Sequence, residues 1–351
     1  MKNIRNYILE EVDVEPLINY LQNDPDEEVV QELINTFNSA VLKSDNFQSY
    51  LSDSGLDSGA VYSMIHSLSS SDAKLFIGLL SNYDTKLKKF EPRKAGLIQN
   101  TLKEYLDELL DGESISSKGI QALISNKTTI GTISNGPGEN ILCLLYSNVR
   151  KAEKGDLDVD GYIVECKFGG GYISSTNCTG MRPVWVEVSS DLGVESVNWV
   201  KGRPQPSINE WWDKAYEKLS INQKFSDDDI AKKLSESMSQ RIYNMFKSPS
   251  GYDTNQLATE IFKEIKNNIS KLTSKDFLKI FGSLSCIAYK FSEGFDSILI
   301  ESGNPKNTYN YTRWTLVTDF RFKSLMKSNL SFSGPNPDPS YAGGGLVVNV
   351  K

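Results

Sequence analysis

The first third of the chain carries apolar residues at helical spacing. The clearest run has its members one, three or four positions apart: Val29, Val30, Leu33, Ile34 and Phe37. This run follows Asp24-Pro25, and an aspartate cap with proline at the first helical position typically opens a helix. The same periodicity predicts helices from about residue 71 and from 93 to 110. A Ser-, Asp- and Gly-rich stretch at 52–59 predicts a loop, so residues 1–130 are expected to form a helical N-terminal region.

The pattern changes in the middle of the chain. Gly136-Pro137-Gly138 interrupts it, and a short helix is expected from Glu139 to about residue 147. Residues 154–167 then alternate between polar and apolar positions on either side of Asp160-Gly161, which predicts two strands joined by a tight turn. Residues 183–188 also alternate and predict a further strand.

The C-terminal part returns to helical periodicity and then ends in strands. Helices are expected over 227–281, with a break at 248–251. Strands are predicted at three places: 297–300, 311–322 and 346–350. The chain is therefore expected to be of mixed α and β class. A central α/β core at 131–225 would be flanked by the helical N-terminal region and by an α+β region at 226–351, whose strands are candidates to join the core sheet.

The segment 154–167 places its charges on one side. An Asp-Gly pair between apolar residues is a strong signal for a two-residue hairpin turn, and such a turn brings Asp156 opposite Glu165. Side chains alternate between the two faces of a strand. One face then carries Asp156, Asp158, Glu165 and Lys167. The other face is apolar and is expected to pack on a core; it carries Leu157, Val159, Val164 and Cys166.

Carboxylates that face each other across paired strands repel, and a divalent cation removes that repulsion. Mg²⁺ prefers oxygen ligands and tolerates a site in which water and phosphate complete a few protein ligands. Asp156 and Glu165 are therefore candidate metal ligands. Lys167 adds a positive charge that can steady a hydroxide nucleophile or the charge that develops on a phosphate. The same residues also fit a solvated hairpin that carries surface charges.

The order Gly-Asp-Leu, hairpin, Glu-x-Lys resembles the PD-(D/E)XK nuclease superfamily. The resemblance covers about 30 to 50 of the 351 residues. It implies that Asp156 is the first acid of the motif, Glu165 the second and Lys167 the lysine. It also implies a restriction-endonuclease-like α/β core, Mg²⁺ or Mn²⁺ as the cofactor, and the hydrolysis of phosphodiester bonds in DNA by an endonuclease or exonuclease.

Further residues take roles through the same resemblance. The backbone carbonyl of Cys166 would be a metal ligand, and Glu139 would add a carboxylate from the preceding helix. Asp158 is an additional acid that could replace or support Asp156 as a ligand. The residue before the first acid is Gly155, where many members of the superfamily have proline.

The amino-acid composition excludes or disfavours several kinds of site and partner. The 351 residues include a single histidine, His66, which excludes zinc sites and nuclease mechanisms that need two or more histidines. The formal net charge of −7 argues against a wholly basic nucleic-acid coat. Four widely spaced cysteines favour buried, reduced thiols over disulfides or a zinc site. No apolar run approaches the roughly 18 residues of a membrane helix, and the N-terminus lacks a signal-peptide pattern, so no membrane partner is expected.

DNA is the expected partner. Candidate phosphate-contacting residues are Lys86, Lys88, Lys89, Arg93, Lys94, Arg182 and Arg203. The composition, rich in Lys, Asn and Ser, together with this motif resembles bacteriophage proteins and restriction-type endonucleases, and this resemblance implies a host cytoplasm or a virion as the expected location. The alternative is a virion structural or interaction protein, assembled with itself or others, that retains a nuclease-like core without turnover.

Overall fold

The structure is a computed structural model that describes residues 35, 37, 45–82, 89–90, 102–125, 128–130, 133–135, 139–153, 155–167, 172–173, 181–195, 208–247, 250–302, 313–333 and 346–350. These residues form a mixed α+β structure. The chain divides into two compact units, each made of two separate segments. Unit 1 comprises Met1–Gly169 and Asp296–Thr318, and unit 2 comprises Gly170–Phe295 and Asp319–Lys351.

The elements are numbered in chain order. The α-helices are α1 (Asp45–Asp53), α2 (Ser58–His66), α3 (Ser70–Asn82), α4 (Leu102–Leu109), α5 (Ser117–Ser125), α6 (Glu139–Leu145), α7 (Met181–Leu192), α8 (Ile208–Glu217), α9 (Asp227–Met245), α10 (Thr254–Ile265), α11 (Ser274–Glu293) and α12 (Phe322–Lys327). The strands are β1 (Thr128–Ile130), β2 (Ile133–Asn135), β3 (Val149–Lys151), β4 (Leu157–Val159), β5 (Tyr162–Lys167), β6 (Tyr172–Ile173), β7 (Ser297–Ser302), β8 (Arg313–Val317), β9 (Leu330–Ser333) and β10 (Leu346–Val350). A π-helical turn at Lys218–Asn222 continues α8, and a short 3₁₀ helix covers Ile269–Lys271.

Unit 1 is built on a five-stranded mixed sheet. Its strand order is β3-β4-β5-β7-β8, in which β5 and β7 are parallel and the other neighbours antiparallel. Parallel strands require a long crossover connection, and here that connection contains most of unit 2. Strands β7 and β8 pair in the same sheet as the central hairpin, so C-terminal strands do join the core sheet as expected. The two units consequently do not end at the expected boundaries near 130 and 225.

The β4–β5 hairpin forms as its sequence predicts. Val159 pairs with Tyr162 across the turn, so the connection is the two residues Asp160 and Gly161. Both have positive φ, 52° and 81°, as a type I′ turn requires. A type I′ turn matches the natural twist of the two strands, which is why Asp-Gly is such a strong signal here.

One face of this hairpin belongs to the core of unit 1, which confirms the predicted apolar face. The side chains that contribute are Leu157, Val159, Val164 and Cys166. They cluster with buried residues of α1 to α6, among them Leu51, Met64 and Phe76, and with Leu299 and Leu316 of the neighbouring strands. Burying such side chains contributes roughly 1.5–3 kcal/mol each, so the apolar face fixes the orientation of the sheet.

Unit 2 combines helices with a small sheet of order β6-β10-β9. Its long helices begin at well-formed caps: Ser226 and Asp229 form a capping box on α9, and Thr273 and Asp276 form one on α11. Trp212 is fully buried and donates its indole N–H to the carbonyl of Ile269 at 2.9 Å. The Trp211-Trp212 pair therefore serves packing within this unit.

Three expectations about local structure are wrong. Residues 183–188 lie in α7, where Val184, Val188 and Leu192 are buried at helical spacing while Val186 is exposed. The alternating residues fitted both periods, and packing on unit 2 selected the helix. The loop expected at 52–59 is shorter, since α1 runs to Asp53 and α2 begins at Ser58.

The strand expected at 311–322 is also too long. Strand β8 ends at Val317, and α12 begins at Phe322. The helix expected after Asp24-Pro25 and the start of the one expected from residue 93 lie outside the described residues.

Candidate functional site

Four short elements of unit 1 bring five charged side chains into one neighbourhood. Glu139 begins α6, Lys151 ends β3, Asp156 immediately precedes β4, and Glu165 and Lys167 lie on β5. These side chains are close enough to influence one another electrostatically, since the negative charges of Glu139 and Glu165 both raise the pKa of Asp156. The structure therefore places together the four side chains that the sequence assigned to catalysis, and it adds Lys151.

Asp156 is held against the edge of β5. Its backbone N–H donates to the carbonyl of Val164 at 3.3 Å, and its carboxylate oxygen Oδ2 accepts the backbone N–H of Cys166 at 2.6 Å. N–H and C=O of one strand residue project toward the same side of the strand. The carbonyl of Cys166 therefore emerges on the side where the carboxylate of Asp156 sits.

The residue before this acid has a backbone conformation that favours glycine. Gly155 has φ of +74°, a conformation closed to proline, whose ring fixes φ near −65°. A Cβ at this position would lie 2.7 Å from the side chain of Ile163 on β5. Glycine thus lets the chain turn tightly into β4 and bring Asp156 over the hairpin.

Two buried ion pairs flank the aspartate. Lys167 Nζ donates to Oε1 of Glu165 at 2.5 Å, and Lys151 Nζ donates to Oε2 of Glu139 at 2.7 Å. The carboxylate side chains are only 7 % and 8 % exposed, respectively. Buried carboxylates need such partners, because the loss of hydration is otherwise uncompensated.

The cluster has more acid than base. Burial, then the negative charge of Glu165 and that of Glu139, raise the pKa of Asp156 to about 7. Three carboxylates face two lysines here, so a proton or another cation at Asp156 relieves the excess. Burial raises the pKa of both nearby thiols, that of Cys143 to about 12 and that of Cys166 well above the ordinary range, which favours their protonated form.

The donor set matches the chemistry of Mg²⁺ or Mn²⁺. Asp156, Glu165 and the carbonyl of Cys166 offer hard oxygen ligands, and Mg²⁺ commonly uses one or two carboxylates together with waters and substrate phosphate. Among the residues that the structure describes, no three or more His, Cys, Asp and Glu side chains are already arranged as a metal cage. The two glutamates each have one oxygen engaged by a lysine instead.

Asp158 takes a different place from the other acids. Its Oδ1 accepts the backbone N–H of Gly161 at 2.6 Å, so its carboxylate stabilises the hairpin turn. Asp160 is likewise engaged locally, since its Oδ2 accepts a hydrogen bond from Asn148 at 3.0 Å. Asn148 in turn exchanges two hydrogen bonds with the backbone of Phe90, which ties the turn to the segment at 89–90.

The basic residues assigned to nucleic-acid contact are described only in part. Lys89 is exposed on unit 1, and Arg182 lies in the first turn of α7 in unit 2. The others lie outside the described residues: Lys86, Lys88, Arg93, Lys94 and Arg203. Of the four cysteines, Cys143, Cys166 and Cys286 are free buried thiols, as predicted, and Cys178 lies outside the described residues.

Lys151 is the member of the cluster that sequence reasoning missed. The only local feature is Val149-Arg150-Lys151, one apolar residue followed by two basic ones, which shows no alternation and is too short to predict a strand. Its pairing with Glu139 depends on the return of the chain from α6 through β3, twelve residues later.

Comparisons with known protein families, with curated proteins and with solved structures each give no match. None of the helices in the described part of the chain is long and apolar enough to span a membrane.

Proposed function

We propose that the protein is a Mg²⁺-dependent nuclease of the PD-(D/E)XK type that hydrolyses phosphodiester bonds in DNA. The observation that carries the proposal is the gathering of Asp156, Glu165 and Lys167 at one edge of a β-hairpin, with Glu139 beside them. Buried acids in excess of bases are costly to a fold, and they occur preferentially at sites that perform chemistry.

The carboxylates of Asp156 and Glu165 would hold the divalent ion, together with the carbonyl of Cys166. The ion would supply Lewis-acid polarisation of the phosphate and a more acidic bound water. The Cys166 N–H donates to Oδ2 of Asp156 and so fixes the orientation of this carboxylate. Such second contacts orient a ligating carboxylate and keep it in place between turnovers.

Lys167 is the proposed partner of the attacking water and the phosphate. Its ammonium already lies against Glu165, so it is positioned within the same cluster and partly shielded from solvent. A fixed positive charge in a poorly hydrated site stabilises negative charge more strongly than it would in water. Glu139 contributes further negative potential to the site.

A second function is favoured by the same ion pairs. Lys151 and Lys167 neutralise two of the three carboxylates without any metal ion. A chain of this kind could be a virion structural or interaction protein that retains a nuclease-like core without turnover. Both functions place the protein in a host cytoplasm or a virion, with DNA or other virion proteins as partners.

Plasmid cleavage distinguishes the two functions. Supercoiled and linear duplex DNA would be incubated with the full-length protein in Mg²⁺, Mn²⁺ or EDTA, beside the variants Lys167→Ala and Asp156→Asn. We expect metal-dependent cleavage by the wild type and a loss of about 10²–10³-fold in each variant. Asp158→Asn is the matched control, because this carboxyl lies on the same hairpin but serves the turn; its rate should stay within about threefold of the wild type.

Two results would contradict the nuclease proposal. One is no cleavage by the wild type under any of the metal conditions. The other is equal cleavage by wild type, Lys167→Ala and Asp156→Asn, which would mark a contaminating nuclease. The first result, with the protein folded by circular dichroism, would favour the structural function.

A further inference from the structure

The strands β3, β4 and β5 carry three basic residues, which differ in their partners. Lys151 and Lys167 each donate to a glutamate at hydrogen-bond distance, and their side chains are largely buried. Arg150 is exposed and makes no hydrogen bond or ion pair with any residue that the structure describes. Within the described part of the chain, its guanidinium can therefore take a ligand without breaking an existing pair.

Strand pairing places Arg150 on the charged face of the hairpin. Arg150 lies opposite Asp158, and Asp158 lies opposite Ile163. Residues that lie directly opposite each other on paired strands project from the same face, and every second residue along a strand returns to that face. Glu165 and Lys167 follow Ile163 at this spacing, so their side chains leave the same face of the sheet as that of Arg150.

Arg150 lies beside the proposed metal site rather than in it. Strand β3 is an edge strand of the sheet, and neighbouring strands are about 4.8 Å apart, so the backbone of β3 runs about 10 Å from that of β5. DNA carries a phosphate about every 3.4 Å of axis on each strand. A point about 10 Å from the metal site therefore suits a phosphate within about three nucleotides of the scissile one.

A second exposed cation lies near the start of β3. The side chain of Asn148, which comes just before this strand, exchanges hydrogen bonds with the backbone of Phe90 at 2.8 and 2.9 Å. Lys89, which precedes Phe90, is exposed. Lys89 and Arg150 thus add positive charge to this edge of the sheet, and a run of phosphates carries the complementary charge.

We propose that Arg150 binds a backbone phosphate of the DNA substrate close to the cleaved bond and so aligns the nucleic-acid strand along the edge of β3. This inference rests on the proposed function and deepens it by naming a substrate contact. Arginine suits the role because its planar guanidinium offers parallel N–H donors to a phosphate. The contact takes no part in bond making, so its loss should raise KM and leave kcat nearly unchanged.

The test is the salt dependence of DNA binding by the full-length protein. Fluorescence anisotropy of a labelled duplex would be followed in EDTA and in Ca²⁺, between about 50 and 200 mM KCl. We expect Arg150→Gln to bind at least about fivefold more weakly at the lower salt concentration. It should also reduce the slope of log K against log salt by about 1, the contribution of one phosphate contact. Arg150→Lys keeps the charge and should retain the wild-type slope.

Lys118→Gln is the matched control, because Lys118 is an exposed cation of the same unit on α5. This variant removes the same charge, and its affinity should stay within about twofold of the wild type with an unchanged slope. In cleavage assays Arg150→Gln should raise KM at least about fivefold and change kcat by less than about twofold. Circular dichroism and thermal melting check the folding of each variant; a merely structural role would lower the melting temperature and leave the salt slope unchanged.

An arginine on an edge strand also discourages pairing between the sheets of different molecules. If this were the whole role of Arg150, Arg150→Gln would self-associate in size-exclusion chromatography with light scattering, while its DNA-binding slope stayed at the wild-type value. That result would overturn the inference. Equal losses of affinity in Arg150→Gln and Lys118→Gln would overturn it too, because they would indicate a general effect of net charge.

The inference and the nuclease proposal fail in different ways. If the wild type cleaves DNA but Arg150→Gln keeps the wild-type slope and KM, only the inference fails. If the wild type binds DNA with a slope that depends on Arg150 but cleaves no DNA under any metal condition, the nuclease proposal fails and the phosphate contact stands. If the wild type neither binds nor cleaves DNA, both fail together.

Discussion

The two units of the protein use ion pairs in opposite ways. In unit 2, Arg241 on α9 holds Asp191 on α7 through two parallel hydrogen bonds, at 2.8 and 2.6 Å. Both side chains are about 30 % exposed, 28 % and 31 % respectively. In unit 1, the pairs of Glu139 with Lys151 and of Glu165 with Lys167 are largely buried.

Folding shifts the pKa of an aspartate in opposite directions in the two units. The hydrogen bonds from Arg241, supported by Ser237, lower the pKa of Asp191, so the folded state of unit 2 favours that charge. In unit 1, burial and neighbouring acids raise the pKa of Asp156, so the folded state disfavours its charge. A carboxyl such as that of Asp156, whose charged form lowers the stability of the fold, is expected at a site that performs chemistry. Residues at active sites are often placed for function at a cost in stability.

The largest effect on stability is expected from the buried pair. Lys151→Met leaves the carboxylate of Glu139 without its ammonium, and breaking one side of a buried ion pair costs about 3–5 kcal/mol. The free energy of unfolding would be measured by urea titration in EDTA, with circular dichroism as the signal. Lys89→Met removes an exposed lysine of the same unit and should change stability by no more than about 0.5 kcal/mol. Equal effects of the two variants would mean that the buried pair of Lys151 with Glu139 stabilises the fold no more than an exposed lysine does.

Replacement of Asp156 is expected to stabilise the protein rather than destabilise it. Asp156→Asn should raise the free energy of unfolding at pH 8 by on the order of 2–4 kcal/mol, since one pKa unit corresponds to about 1.4 kcal/mol. Between the ordinary pKa of an aspartate and about 7, the folded state binds the proton that the unfolded state has released. Stability of the wild type therefore falls through this window as pH rises.

This prediction is checked by urea unfolding of both proteins in EDTA between pH 5 and pH 8. The advantage of Asp156→Asn over the wild type should grow as the pH rises from 5 to 8. A constant difference between wild type and Asp156→Asn would mean that the fold does not oppose the charge.

The smallest effect is expected in unit 2. Asp191→Asn should lower stability at pH 7 by about 0.2–1 kcal/mol, as is typical of partly exposed ion pairs. The pKa of Asp191 is lowered on folding, so its contribution is present above the ordinary pKa of an aspartate and is lost as pH falls through the folded value. Thermal melting at pH 7 and at pH 3 would show the difference shrinking; Glu236→Gln, an exposed acid on α9, is the control.

Local structure around the candidate site was predictable because short-range chemistry determines it. Asp160-Gly161 specifies the turn, and the alternation that follows assigns Val164 to the core and Glu165 to the charged face. The helix that starts at Glu139 was predictable for the same reason, from a break followed by an apolar run.

Other residues, at the site and elsewhere, escaped prediction where several structures satisfied the same local pattern. Asp158 has the alternation of a site acid, yet its carboxylate is drawn to the nearest free N–H of the turn. Residues 183–188 satisfied the period of a strand, but α7 buries them at helical spacing. Lys151 carried no recognisable signal, because its partner depends on how β3 returns from α6.

The sequence by itself determined the hairpin, its two faces and the types of residue available for chemistry, since turn geometry and side-chain alternation act over a few residues. Tertiary structure alone decided which charges meet. It paired β5 with β7, whose start is tied to Ile163 by Asp296 from 133 positions away, and it placed Lys151 beside Glu139. Such pairings depend on which residues are buried together and on the path of the chain between distant elements. The spacing of residues within a short segment does not determine either of these.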